Sequence, residues 1–141
     1  MTPFNSTPIV WIAYANDAEA QSIMERIRDF SDPRLIDPVD LSEPDFLLSV
    51  GNHQSSWLLI DEDFSPLKPL QTIGRKASEA HEFFRCMLVG GTNIEDWPQG
   101  SIQMDTNTLS TTIIDRLRNE SNVLRMMSSR VRHVRRLQNR S

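Results

Sequence analysis

Short apolar runs alternate with stretches of helical spacing along most of this chain of 141 residues. Residues 9–14, 57–60 and 84–89 are nearly continuous in apolar side chains, which is typical of strands that are buried on both faces. Weaker strand patterns cover residues 35–39, which a proline interrupts, and residues 101–104. The pattern therefore predicts five strands, of which the second suits the edge of a sheet.

Helix signals fill the gaps between the strand patterns. Asn16 is a predicted N-cap, Glu19 stands where it completes a capping box, and apolar residues at helical spacing follow. Residues 42–51 begin with a strong helix start and stop at a glycine, and residues 66–80 predict a further helix. Strands that alternate with helices favour a doubly wound, five-stranded parallel sheet in the order 2-1-3-4-5.

The connection between the fourth and fifth strands is short. Residues 91–100 are all that separates them, and a loop with a full helix would be considerably longer. We therefore expect the fourth helix to be shortened, with Trp97 and Pro98 covering the gap.

Charge is divided unevenly along the chain. Residues 1–110 carry 7 Lys and Arg against 17 Asp and Glu, a formal charge of −10, whereas residues 111–141 carry 8 Arg against 2 acids, a charge of +6; together these give the net −4. An acidic body repels phosphates, so nucleic acid is not expected to bind it, and the arginine-rich tail alone attracts polyanions. The chain is accordingly divided into a body, 1–110, and a C-terminal helix, 111–141.

The tail has the pattern of a long helix. No Gly or Pro interrupts residues 109–140, and a heptad seam is apolar at six of its seven core positions, Glu120 being the exception. The predicted seam consists of Ile113, Leu117, Leu124, Met127, Val131 and Val134. It predicts a homodimer formed through a coiled coil, which links the body to an output domain beyond the polar end of the chain.

Cysteine content and hydropathy restrict the compartment. Cys86 is the single cysteine and cannot form an internal disulfide, so a reducing cytoplasm is expected. No apolar run approaches the roughly 20 residues that span a bilayer, and the run at 9–14 lacks the flanking features of a signal peptide. His53, His81 and His133 have no ligand spacing, so no metal site is predicted.

Polar residues and glycines follow the predicted strands at their carboxyl ends, where parallel sheets gather their chemistry. They are Asn16 and Asp17, Asp61 to Asp63, and Gly90 to Thr92. With this pattern the chain, over about residues 8–120, resembles a receiver domain of bacterial response regulators, the CheY-like fold. The resemblance implies that Asp61 lies at the phosphoacceptor position, where clustered carboxylates hold Mg²⁺.

The set of residues that a working receiver uses for phosphorylation is incomplete in this sequence. Asp17 is the single acid where an acidic pair should follow the first strand, and residues 105–108, after the fifth strand, contain no lysine. Since the metal and the lysine neutralise the transferred phosphoryl group, their loss predicts a degenerate, or pseudo-, receiver. The hydroxyl position after the fourth strand is glycine, with a threonine displaced beyond it. The vestigial phosphoacceptor pocket consists of Asp17, Asp61, Asp63 and Thr92.

Two short segments, Asp96-Trp97-Pro98 and Asn107-Thr108-Leu109, are similar to the N-terminal domain of FleQ-type flagellar transcription activators. These proteins are enhancer-binding regulators whose N-terminal domain has also lost phosphorylation residues. The resemblance implies a regulatory and dimerising domain of a transcription factor, with ATPase and DNA-binding parts elsewhere.

The sequence thus predicts a non-catalytic, receiver-like regulatory and dimerisation module of a bacterial signalling or transcription-regulatory protein. No cofactor is expected, and Mg²⁺ only if Asp61 is phosphorylated. The expected partners are a second copy of the chain and an output domain, with no membrane. Two alternatives stay open: a genuine phospho-switch at Asp61, and a small adaptor that binds nucleic acid through its arginine-rich tail.

Overall fold

The computed structural model of the protein describes residues 8–42, 55–80, 84–91 and 93–139, without the side chains of 55, 56, 124, 125 and 127–139. Within these residues five strands form one parallel sheet in the order β2-β1-β3-β4-β5. The strands are β1 (Ile9–Ala13), β2 (Asp32–Leu35), β3 (Ser55–Asp61), β4 (Arg85–Val89) and β5 (Ile102–Met104). The predicted strand order and the parallel direction are confirmed.

Helical segments lie between the strands and after the last strand within the described residues. They are α1 (Asp17–Ile27), α2 (Lys68–Ala80), α3 (Ser110–Asn139) and the 3-10 helices Pro38–Ser42 and Ile94–Asp96. The predicted cap of α1 is confirmed, because Oδ1 of Asn16 accepts the backbone N–H of Glu19 at 3.1 Å. The helix predicted over 42–51 lies, beyond its first residue, outside the described residues. None of the described helices is long and apolar enough to cross a membrane.

The sheet is covered on both faces by apolar layers. Along β1, Val10 and Ile12 face one layer and Trp11 and Ala13 face the other, and each is at most 5% exposed. Helices α1 and α3 pack on the first layer, and α2 packs on the second. Full burial of a large apolar side chain contributes about 1.5–3 kcal/mol. Burial of the central strands therefore stabilises the fold, as the continuous apolar runs of these strands predict.

The edge strand β2 lies earlier than the pattern predicts. The weak strand was expected over 35–39, whereas β2 ends at Leu35. Its register is fixed by the backbone N–H groups of Asp32 and Ile36, which donate to Pro8 and to β1 at 2.8 Å each. Pro38 then opens a 3-10 helix, since its fixed φ suits a first helical turn and its missing N–H ends strand pairing.

Between β4 and β5, the described part of the connection contains a single 3-10 turn, Ile94–Asp96. Trp97 follows this turn and is 5% exposed in the core layer of α2. Gly74 of α2 allows the helix to lie close to β4, because a Cβ there would lie 2.9 Å from the Sγ of Cys86, and the Pro98 ring of the loop lies beside the same position, 3.7 Å from where that Cβ would be. The shortened helix and its cover by Trp97 and Pro98 are confirmed.

The first turns of α3 pack into the body. Ile113, Ile114 and Leu117 are at most 5% exposed, in the layer shared with α1. The prediction of Ile113 and Leu117 as dimer contacts is therefore corrected, since side chains enclosed by their own domain cannot reach a second copy. The rest of the predicted seam has side chains outside the described part of the structure: Leu124, Met127, Val131 and Val134.

Helix α3 makes its last described buried contact with the body at Ser121. The Oγ atom of Ser121 accepts the Nε1–H of Trp57 at 3.0 Å, in a buried pair that joins the helix to the central strand. Farther along the helix, Val123 and Met126 are 50% and 57% exposed. The point where α3 leaves its own core thus lies close to Glu120, the residue that breaks the predicted heptad seam.

Candidate functional site

The loops at the carboxyl ends of the strands meet along one side of the sheet, here called the carboxyl edge, which comprises residues 14–17, 61–63, 90–91 and 105–107. Three of the four predicted pocket residues lie there. Asp17 is the exposed first residue of α1, Asp61 ends β3, and Asp63 is exposed in the turn that follows. Thr92, the fourth, lies outside the described residues.

Asp61 joins two loops of the carboxyl edge. Its carboxylate accepts the backbone N–H groups of Asp63 and Ala15, so it fastens the loop after β1 to the loop after β3. Burial is the largest influence on its pKa and raises it above the usual value of 3.8; the negative charges of Asp63 and Glu19 raise it further, while the two N–H groups oppose the rise. Asp61 is thus a bound structural carboxylate with negative neighbours.

Tyr14 lies beside Asp61 with its hydroxyl buried. The residue is 5% exposed, and its hydroxyl has no hydrogen-bond partner among the described residues. Burial raises the pKa of the phenol far above 10, and the charges of Asp61 and Glu19 add to the rise. The ring therefore stays neutral, and it serves mainly as part of the core layer of α1.

Glu62 fastens the opposite side of the carboxyl edge. Its Oε2 accepts the backbone N–H of Gly91 at 2.8 Å, and its Oε1 accepts the hydroxyl of Thr106 at 2.9 Å. These bonds hold the pKa of this carboxyl below its usual value of 4.5. One carboxylate thereby connects the loops that follow β3, β4 and β5.

Gly90 accommodates the path of the Glu62 side chain. Its φ of +118° lies in the left-handed region that favours glycine. A Cβ at this position would lie 2.6 Å from both Cβ and Cγ of Glu62, closer than real atoms approach. The N–H of Gly90 donates to the carbonyl of Met104 at 2.8 Å, which fixes the turn against β5. Gly90 is thus the seat of Glu62, that is, the position whose missing side chain leaves the space in which the Glu62 side chain lies.

No sequence signal indicates the role of Glu62. It stands in the acidic run Asp61–Asp63, whose pattern is that of a solvated strand end, and its partners lie 29 and 44 residues away. The threonine hydroxyl that the described structure brings to this edge is that of Thr106, whereas the sequence pointed to Thr92. Residues that meet through a parallel sheet have no fixed spacing, so no local motif reveals them.

The residues present do not form an evident magnesium site. Within the described residues, no three His, Cys, Asp or Glu side chains are grouped so that they could hold a metal ion. The Asp61 carboxylate is engaged by two backbone N–H groups, and Glu62 is engaged by Gly91 and Thr106. No chemical step is therefore derived through a metal, and the expected lack of a cofactor stays a prediction.

Cys86 is fully buried in the core layer of α2. Burial raises the pKa of its thiol to about 12, and the hydroxyl of Ser101 partly opposes the rise. Because the thiolate is the reactive form of cysteine, this side chain is an inert core residue. That agrees with its position within a strand pattern.

The carboxyl edge can bind its own loops together, and its chemistry is that of hydrogen bonds between carboxylates and backbone or hydroxyl donors. No protein-family model matches the chain, and no curated protein matches it in sequence. The fold and this edge therefore carry the functional inference by themselves. What they establish is an α/β domain with a parallel five-stranded sheet.

Proposed function

We propose that the chain is a non-catalytic, receiver-like regulatory module of a bacterial cytoplasmic signalling or transcription-regulatory protein, which works without phosphorylation and dimerises through α3. One observation carries the proposal: the donors of the β4 and β5 loops, Gly91 N–H and Thr106 Oγ1–H, are already engaged by the Glu62 carboxylate. An acidic side chain of the protein itself thus occupies the edge where a receiver would accept a phosphoryl group.

Electrostatics support a carboxyl edge that is not phosphorylated. A phosphoryl group on Asp61 would bring about two negative charges next to Glu62 and Asp63. Phosphoryl transfer depends on cations that neutralise the developing charge. The sequence supplies no lysine in residues 105–108, after β5, for that purpose. Asp61 therefore acts as a structural residue, through its bonds to Ala15 and Asp63.

Output through α3 follows from its position. The helix begins at Ser110, a few residues after Thr106 of the carboxyl edge, and packs on the body as far as Ser121. Farther on, α3 leaves the core, since Val123 and Met126, which lie outside the seam, are 50% and 57% exposed. The remaining seam positions of the sequence, Leu124, Met127, Val131 and Val134, belong to this stretch of the helix. A second copy of the chain is the occupant proposed for this part of α3, in a parallel coiled coil.

Amide NMR with beryllofluoride and Mg²⁺, which together mimic an acyl phosphate, tests the absence of phosphorylation. We expect no chemical-shift change at Asp61 beyond that caused by Mg²⁺ alone, and none along α3. An active receiver domain is the positive control, and the Asp61→Asn variant identifies binding elsewhere. Saturable shifts that centre on Asp61, spread to α3 and vanish in Asp61→Asn would falsify the proposal.

The dimer is tested separately by sedimentation of the double variant Leu124→Asp, Val131→Asp. We expect a folded monomer, because two charges in the seam of a coiled coil prevent apolar packing. The matched control is Leu109→Asp, which places a charge at a 71% exposed leucine outside the seam and should keep the mass of the wild type. A double variant with an unchanged dimer mass would place the interface on the body.

A further inference from the structure

We infer that Glu62 is a latch that couples the carboxyl edge of the sheet to the first turn of α3. Its carboxylate holds the loops after β4 and β5 in one arrangement, and breaking the latch loosens the start of the output helix. The latch rests on the proposed function for its biological use, but its existence is a separate property of the fold.

Two observations on different elements define the latch. The first is the pair of hydrogen bonds from Gly91 N–H and Thr106 Oγ1–H to the two carboxylate oxygens, at 2.8 and 2.9 Å. The second is Gly90, whose missing side chain leaves the space through which the Glu62 side chain passes. A carboxylate that merely pointed into solvent would have neither donors from two other loops nor a side chain lying where a Cβ of residue 90 would be.

Two backbone hydrogen bonds in consecutive segments of the chain, 105–108 and 109–113, lie between the latch and the core contacts of α3. Thr106 lies in a turn closed by the N–H of Thr108, which donates to the carbonyl of Asp105 at 3.0 Å. The next bond runs from the N–H of Ile113 to the carbonyl of Leu109 at 3.1 Å, in the first turn of the helix. Ile113 is in turn 3% exposed in the core. The position of Thr106 therefore constrains where α3 begins.

The latch depends on hydrogen-bond geometry, so variants of Glu62 and Thr106 can separate the contribution of the hydrogen bonds from the contributions of side-chain charge and shape. In Glu62→Gln, the amide oxygen can still accept the N–H of Gly91, and the amide NH₂ can donate to the Thr106 oxygen, since a hydroxyl both donates and accepts. In Glu62→Ala both bonds are lost. In Thr106→Val one bond is lost, while the side-chain shape and all charges are kept.

Hydrogen–deuterium exchange of single amides in the full chain, followed by NMR, tests the latch. In Glu62→Ala we expect exchange to become about fivefold or more faster at Gly91, and severalfold faster at Thr108 and Ile113. Thr106→Val should accelerate Thr108 and Ile113 in the same way, and Glu62→Gln should remain close to the wild type. The amide of Ile36, bonded to β1 on the far side of the sheet, is the internal reference.

Asp63→Ala is the matched control, because it removes the same charge from the same turn at an exposed side chain. It should leave Thr108 and Ile113 unchanged. The latch is overturned if Glu62→Ala accelerates Gly91 alone, if Asp63→Ala has the same effect, or if Glu62→Gln behaves as alanine does. Should Glu62→Ala fail to fold, Thr106→Val decides: unchanged exchange at Thr108 and Ile113 refutes the coupling.

The latch and the proposed function fail in different experiments. A response to beryllofluoride centred on Asp61 would refute the proposal that the protein works without phosphorylation, and it would leave the hydrogen-exchange results unaffected. Uncoupled exchange at α3 would remove the latch without altering the beryllofluoride titration or the dimer mass.

Discussion

Two adjacent carboxylates, Asp61 and Glu62, serve opposite sides of the same edge and differ in what their surroundings do to them. Asp61 turns toward the β1 side, where burial and the charges of Asp63 and Glu19 raise its pKa despite two backbone donors. Glu62 lies on the β4–β5 side, where two donors lower the pKa of its carboxyl. On the β1 side desolvation dominates, and on the other side hydrogen bonding dominates.

The difference shows that a run of acidic residues has no single role. A solvated acidic strand end would leave both carboxylates free to take up a phosphoryl group or an ion. Here each one has backbone or hydroxyl donors from another loop, so the pair closes the carboxyl edge from both sides. The contrast between the two sides of the edge predicts measurable effects of changes at Gly90, which seats the Glu62 side chain, at Ser121 of α3, and at the two carboxylates.

The largest effect is expected from Gly90→Ala. Alanine would be strained at a φ of +118°, and its Cβ would clash with the Glu62 side chain. Strain and overpacking together should lower the free energy of unfolding by about 2–4 kcal/mol. Urea unfolding measures the change. Gly91→Ala is the control, since a Cβ there would lie 3.5 Å from Oε2 of Glu62, an ordinary contact, and should cost less than about 1 kcal/mol.

A smaller effect is expected from Ser121→Ala, which removes the buried hydrogen bond between α3 and β3. The Nε1–H of Trp57, fully buried, would lose its partner, a change that costs about 1–3 kcal/mol. The better helix propensity of alanine offsets about 0.5 kcal/mol of this. Asn122→Ala, at the exposed neighbouring position, gains a similar helix propensity without losing a buried bond and should raise stability by about 0.5 kcal/mol. Equal unfolding midpoints for the two variants would show that the Trp57–Ser121 bond contributes nothing.

The smallest effects concern pH and should have opposite signs at the two carboxylates. The stability that the Glu62 charge contributes is complete above its unfolded pKa of 4.5 and is lost as the pH falls through its lower folded pKa. For Asp61, whose folded pKa is raised, the contribution is complete below 3.8 and is lost as the pH rises through the folded value.

Urea unfolding between about pH 3 and pH 6 measures these two dependences. The stability of the wild type relative to Glu62→Gln should increase with pH, and its stability relative to Asp61→Asn should decrease. Slopes of the same sign would mean that the two carboxylates share one environment, and the contrast between the two sides of the carboxyl edge would be lost.

Much of the fold was predictable because its signals are local. The continuous apolar runs of β1, β3 and β4 require burial on both faces, and Asn16 with Glu19 marks the start of α1. The edge strand β2 was misplaced by three residues, since half-exposed residues carry a weak hydrophobic signal and its register is set by pairing with β1. Position at the edge was thus easier to predict than the bounds of the strand.

The heptad seam shows how one pattern can serve two structures. Apolar residues at helical spacing are needed equally to pack α3 on its own sheet and to pair it with a second helix. Ile113 and Leu117 fit the seam in sequence, yet both are enclosed by the body. Periodicity determines which face of a helix is apolar, and the tertiary contacts determine what covers that face.

Composition and periodicity were enough to predict the strand order, the burial of the central strands on both faces, the shortened fourth connection and the absence of lysine from residues 105–108, because these features record which residues must be buried and which residue types are present. The directions in which Asp61 and Glu62 turn, and the residues that they bind, depend on tertiary contacts. Gly91 and Thr106 lie 29 and 44 residues from Glu62 in the chain. Hydrogen bonds over such separations are fixed by the packing of the sheet, which places three loops side by side at one edge.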